Sequence, residues 1–93
     1  MEVILKLNVF WNTPETRHLL DAGLEPSLKE CSVKEVTFYR IDAVGIYYEK
    51  SENKEYATII LAGEQPFITP FSYEELNKKV LDARSNFILK LSA

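Results

Sequence analysis

Apolar and polar positions alternate at the start of the chain. In residues 3–11 the odd positions Val3, Leu5, Leu7, Val9 and Trp11 are all apolar, while the even ones mix Ile4, Lys6, Asn8 and Phe10. Period two with one apolar side predicts a strand with one buried face. The alternation stops at Thr13-Pro14, an N-cap followed by a residue pre-set for the first helical position, and Gly23 supplies a stop. A short helix over residues 14–22 is expected, with Leu19 and Leu20 pointing inward. Ser27-Leu28-Lys29-Glu30 has capping-box spacing and predicts one more helical turn. Residues 33–50 are rich in Val, Ile, Thr, Phe and Tyr. Extended, they would span about 60 Å, too far for a domain with a radius near ~13 Å. A bend is therefore expected at Asp42-Ala43-Val44-Gly45, since a glycine in a strand marks a bulge or a close backbone approach.

Glu49-Lys50-Ser51-Glu52-Asn53-Lys54-Glu55 is wholly polar and reads as a solvated hairpin loop, with residues 56–62 as the returning strand. Gly63-Glu64-Gln65-Pro66 turns the chain, and Phe67-Ile68-Thr69, fenced by Pro66 and Pro70, is a short edge strand. Ser72-Tyr73-Glu74-Glu75 is a second capping box. Leu76, Val80 and Ala83 fall on one helical face, and Glu74/Lys78 and Glu75/Lys79 form i,i+4 pairs, which predicts a helix over residues 73–84. Asn86 would cap it before a last strand over residues 87–91. The resulting order, β-α-β-β-α-β, is that of the ferredoxin-like α+β fold: a small antiparallel sheet with two helices on one face and, here, an enlarged middle hairpin. The alternative keeps residues 33–84 as a separate hairpin-plus-helix unit, with the first strand packed elsewhere.

Composition supports one soluble globular domain over residues 1–93. Of the 93 residues 46% are hydrophobic and 12% aromatic, with three Gly and four Pro, enough apolar surface to order a small core. The longest apolar run is broken by Lys6 and Asn8 and is far shorter than a membrane span of ~20 residues, so no membrane association is expected. Glu2 follows Met1 where a secretory leader would carry Lys or Arg. The single cysteine, Cys31, cannot form an internal disulfide, and no Asn-x-Ser/Thr acceptor occurs, which favours a cytoplasmic location. The net charge of −3 is spread evenly, with five basic and seven acidic residues up to position 48 and six and seven after it. Without a basic stripe, nucleic acid is a disfavoured partner.

Candidate chemistry is sparse. His18 shares its helix with Glu15 and Asp21, at ordinary surface ion-pair spacing. Cys31 would need a nearby base to act as a nucleophile, and otherwise reads as a small buried thiol. One histidine and one cysteine cannot make a structural zinc site, and Glu49, Glu52 and Glu55 lack the calcium-loop pattern, so they read as solvating groups and no metal or cofactor is expected. Because RNA-recognition motifs share the split-βαβ order, their third-strand pattern can be tested directly on Lys54-Glu55-Tyr56-Ala57-Thr58-Ile59-Ile60-Leu61. Glu55 stands at the glycine, Thr58 at the main stacking position and Leu61 at the last aromatic, while the first strand offers Ile4. The stacking platform is largely missing.

Thr58-Ile-Ile-Leu-Ala-Gly-Glu-Gln and Ser72-Tyr-Glu-Glu-Leu-Asn-Lys-Lys-Val80, within residues 41–80, resemble two bacterial groups, the FlbD-type flagellar proteins and the LytTR DNA-binding domains. Both run hairpin, glycine turn, helix. The resemblance covers under half the chain, and Phe87-Ile88-Leu89-Lys90-Leu91 replaces the basic residues expected after the LytTR helix, so no function is carried over from either. With the small size, it points to a bacterial or viral source.

Three aromatic doublets stand out: Phe10-Trp11, Phe38-Tyr39 and Tyr47-Tyr48. Neighbours on a strand point to opposite faces, so each doublet sends one ring to each side of the sheet. With both helices on one side, the other face should expose Phe10, Tyr39, Tyr47 and Tyr56 among polar Lys6, Asn8 and Thr58. Such a face suits a protein partner, most simply a second copy of the chain in a homodimer. The expectation is a non-enzymatic interaction domain. The alternative is a small-ligand or nucleotide site on the same face, with Lys6 and Arg40 as ligand contacts.

Overall fold

A computed structural model describes the backbone of residues 2–92 and the side chains of residues 4–85. It is a small α+β fold with two antiparallel sheets and two helices. β1 (Glu2–Trp11) pairs with β2 (Ser32–Arg40) in a two-stranded ribbon, Leu7 opposite Val36 and Phe10 opposite Val33. The alternation read along β1 is realised in its middle, where Leu7 and Val9 are buried while Lys6 and Asn8 are exposed, and is inverted at its end, where Trp11 is exposed and Phe10 half-buried.

Between the ribbon strands lie α1 (Pro14–Asp21) and a 3-10 turn (Leu28–Glu30). The Thr13 hydroxyl accepts the Thr16 N–H at 3.2 Å, and Gly23 adopts φ +82° after the helix, so cap and stop sit where the residue types demand. Thr16, rather than Leu20, is the buried residue of α1, with Leu19 half-buried and Leu20 exposed. The inward face follows Thr13, Thr16 and Leu19, spaced by three. In the 3-10 turn the Glu30 carboxylate accepts the Ser27 N–H at 2.9 Å, the predicted capping box.

The second sheet contains β3 (Ala43–Glu49), β4 (Lys54–Ile60) and β5 (Phe67–Ile68), with β4 in the centre. The chain bends at Ile41-Asp42, just ahead of the expected place. Ile41 is buried there, the Asp42 N–H donates to the Ile60 carbonyl at 3.1 Å, and the Asp42 carboxylate accepts the Ala62 N–H at 2.6 Å, which clamps the corner to the end of β4. Gly45 lies inside β3, where an added Cβ would come within 2.8 Å of both Thr58 Oγ1 and Ile60 Cδ1. Its lack of a side chain permits a close cross-strand approach. Beyond β5, the Thr69 hydroxyl donates to the Ala57 carbonyl at 2.8 Å and the Ala57 N–H donates to the Phe71 carbonyl at 2.9 Å, so this short edge is stitched to β4 past its two paired residues.

Both sheets contribute to one core. Leu7 and Val9 from β1, Phe38 from β2, Ala57 and Ile59 from β4, and Leu76 and Val80 from α2 (Tyr73–Ser92) pack together with Ile41. Phe38 and Phe67 meet edge to face at 5.3 Å between the two sheets. The expected single sheet is thus divided in two. Its expected last strand is absent as well, because residues 87–91 continue α2 as helix. No glycine or proline separates Arg84 from Phe87 to stop the helix, and Leu and Lys favour helix; extending a formed helix adds one hydrogen bond per residue fixed, whereas a new strand needs a partner.

Candidate interaction surface

The sequence-predicted site residues divide between the two sheets. Phe10, Tyr47 and Tyr56 are brought together: Phe10 and Tyr56 meet edge to face at 5.5 Å between centroids, and Tyr47 stands directly opposite Tyr56 in the β3/β4 register. Tyr39, Arg40 and Lys6 belong to the ribbon instead. Tyr39 is 69% exposed and, with Arg40, borders a groove of about 390 Å³ that also involves Leu61 and Phe67. Arg40 is paired with Asp42 at 3.4 Å, and Lys6 is exposed opposite Thr37.

The expected open face is partly filled. Tyr56 and Thr58, which should have shown on it, are buried, and Tyr56 is 7% exposed. Its hydroxyl donates to Glu52 at 2.6 Å, and that bond, followed by burial, pushes its pKa up to about 12. Lys54 lies over the same ring at 5.0 Å. Glu49, expected in the solvated loop, is the last residue of β3 and 7% exposed. Its carboxylate accepts the Leu28 N–H at 3.3 Å and the Ser51 hydroxyl at 3.0 Å, which ties the 3-10 turn to the hairpin. The loop itself is only residues 50–53, closed by Asn53 at φ +50°, and Lys29 reaches Glu52 at 3.9 Å.

What stays open is β3. Ile46, Tyr47 and Tyr48 are exposed in sequence, and Ile46 is 53% exposed. β3 is an edge of its sheet, and among the described residues no strand pairs with its outer side. Residues 43–48, Ala-Val-Gly-Ile-Tyr-Tyr, carry no charge, with Asp42 before them and Lys50 after the buried Glu49. The Tyr48 hydroxyl donates to Asn53 Oδ1, which holds its ring along the hairpin. The other edges are guarded. β1, the other edge of the ribbon, presents exposed Lys6 and Asn8, β2 presents exposed Lys34, Glu35 and Arg40, and β5 is two residues long between Pro66 and Pro70. Charges, prolines and short length are the means by which sheet edges avoid unwanted pairing. Ile46 and Tyr48 were missed by reasoning from aromatic doublets. The usable signal was the uncharged run of residues 43–48 between Asp42 and Glu49.

A cleft of about 730 Å³ lies elsewhere, bordered by Phe10, Trp11, Arg17, Cys31, Gln65 and Phe67. Cys31 donates to Asn12 Oδ1 and the Ser27 carbonyl, both at 3.8 Å, and burial, with Glu30 and Glu49 nearby, pushes its thiol pKa up. Those influences favour the protonated thiol over the nucleophilic thiolate. Among the described residues no three His, Cys, Asp or Glu side chains gather as a metal site, and no helix is long and apolar enough to cross a membrane.

Comparison with known proteins leaves the surface to speak for itself: no protein family, no curated protein and no solved structure matches the chain.

Proposed function

We propose that the protein is a non-enzymatic interaction domain that binds protein along the outer edge of β3, with Ile46, Tyr47 and Tyr48 as the contact side chains. One observation carries the reading: the unpaired, uncharged edge with three large exposed apolar residues in a row, in a molecule whose other edges are charged or short. An extended segment laid on such an edge gains main-chain hydrogen bonds, while alternate side chains supply specificity. Tyrosine is enriched at interface cores because its ring offers a large area with few torsions to order. The single thiol of Cys31, with no second cysteine to pair with, supports a reducing, cytoplasmic setting.

Titrating the isotope-labelled protein with extended peptides that alternate Ile or Tyr with Thr tests the reading. Amide shifts centred on Ala43–Glu49, abolished by Ile46→Lys, are expected. Shifts that map away from β3, or that Ile46→Lys leaves unaltered, overturn it. The 730 Å³ cleft favours a second reading, a small apolar ligand held beside Trp11 and Phe67. A fragment screen followed by Trp11 fluorescence checks that site separately, and no response at millimolar fragment would remove it.

A further inference from the structure

We propose that the segment seated on β3 is β3 of a second copy, paired antiparallel about a twofold axis at Ile46, so that two three-stranded sheets join into one of six. The proposal rests on the interaction-domain reading and names its partner.

Charge selects both the partner and the register. With the axis at Ile46, position 42 of one copy stands opposite position 50 of the other, so Asp42 meets Lys50 twice, once at each end of the paired edge. Tyr47 then lies opposite Gly45, Tyr48 opposite Val44, and Ile46 opposite itself. An aromatic ring across from a strand glycine covers backbone that no side chain of its own protects. Moving the axis one residue either way removes the match. At Gly45 it sets Asp42 against Tyr48 and carries Lys50 toward Arg40, and at Tyr47 it sets Asp42 against Glu52. Opposite charges directly across an antiparallel pair stabilise it and like charges destabilise it. Asp42 is ready for that role. Its carboxylate is fixed by the Ala62 N–H at 2.6 Å, and this bond, aided by Arg40, holds it below the usual carboxylate range, hence ionised at neutral pH.

The axis also places the exposed apolar groups at the centre of the contact and the charges at its rim, the usual anatomy of a protein interface. Twofold self-pairing is the commonest closed arrangement, and it consumes the open edge of both copies, so assembly stops at two. The remaining edges, β1 with exposed Lys6, β2 with its charges and the short β5, do not invite a third copy.

Sedimentation of the full 93-residue chain from micromolar to submillimolar concentration tests this. The unmodified chain is expected to dimerise, with Kd on the order of 10–100 μM for an edge contact of modest area. Ile46→Lys should raise Kd at least about 30-fold by placing two lysines together at the axis. Ile46 is exposed, so circular dichroism of the variant should stay unchanged. Asp42→Lys, which also releases the Ala62 N–H and is therefore read beside an unchanged circular dichroism spectrum, and Lys50→Asp should each weaken self-association by about tenfold, since each creates two like-charge pairs. Mixed in equal amounts, these two variants should pair with one another nearly as well as the unmodified chain pairs with itself, because the mixture restores both opposite-charge pairs. A chain that stays monomeric at 500 μM, a dimer indifferent to Ile46→Lys, or a mixture that pairs no better than its components overturns the proposal. If the monomeric chain still shows peptide-induced shifts along Ala43–Glu49, only the second copy is wrong. If it shows none, the interaction-domain reading falls with it.

Discussion

Tyr47 and Tyr56 face each other across the β3/β4 pair, yet one is 39% exposed and the other 7%. Residue type does not distinguish them. Tyr56 sits on the central strand, with Phe10 against its ring and Glu52 on its hydroxyl, while Tyr47 stands on the edge. The contrast extends along both strands: Tyr56, Ala57, Thr58 and Ile59 are all buried, whereas Ile46, Tyr47 and Tyr48 are all exposed. A central strand is covered by neighbours on both sides and often on both faces, so it stores stability. An edge strand of similar composition contributes less to the fold and is left free to make contacts outside it.

Four measurements probe that division, in order of decreasing effect. Ile59→Ala removes a fully buried side chain of β4 and should cost about 3 kcal/mol in urea unfolding, whereas Ile46→Ala on β3 should stay within about 0.5 kcal/mol. Equal losses would show that the edge is as deeply packed as the centre. Gly45→Val should follow, at about 2 kcal/mol, because its Cβ would press on Thr58 and Ile60 at 2.8 Å. A neutral result would mean that the β3/β4 spacing relaxes freely.

Tyr56→Phe loses the hydroxyl bond to Glu52 and should cost about 1 kcal/mol, while Tyr47→Phe should be silent in the monomer. The same bond predicts a pH dependence. With the folded pKa raised to about 12, the native state retains its proton where the unfolded chain, near ~10, gives it up. The contribution is therefore complete below pH ~10 and lost as pH climbs toward ~12, and Tyr56→Phe should flatten that alkaline limb in unfolding titrations. The smallest effect belongs to Asp42, whose depressed pKa means its stabilising contacts persist above the ordinary carboxylate range and fade as pH falls below it. Asp42→Asn should remove that part of the acid dependence, read as a shallower loss of unfolding midpoint as pH falls through and below the carboxylate range.

Local chemistry was legible wherever a residue acts on its near neighbours. Thr13-Pro14 opened α1, Gly23 ended it, Ser27 and Glu30 built their capping box, and Ser72 with Glu75 began α2, the Ser72 hydroxyl donating to Glu75 at 2.9 Å. Alternation identified β1 and the buried face of its middle, Leu7 and Val9. Each rests on interactions within four residues or on backbone preference, which the local sequence specifies by itself.

Long-range partnership was not legible. That residues 87–91 extend a helix, that the strands divide into two sheets, that Glu49 leaves the solvated loop to hold the Leu28 N–H, and that Tyr56 is buried while Tyr47 is open all depend on which segments meet. An aromatic doublet on a strand shows that its rings point to opposite sides. Only the neighbours supplied by the tertiary fold decide which ring is covered, and at β3 the described neighbours leave both exposed. The uncharged residues 43–48, bounded by Asp42 and Glu49, were written in the sequence from the start, but they became an open edge only through the position of β3 in its sheet.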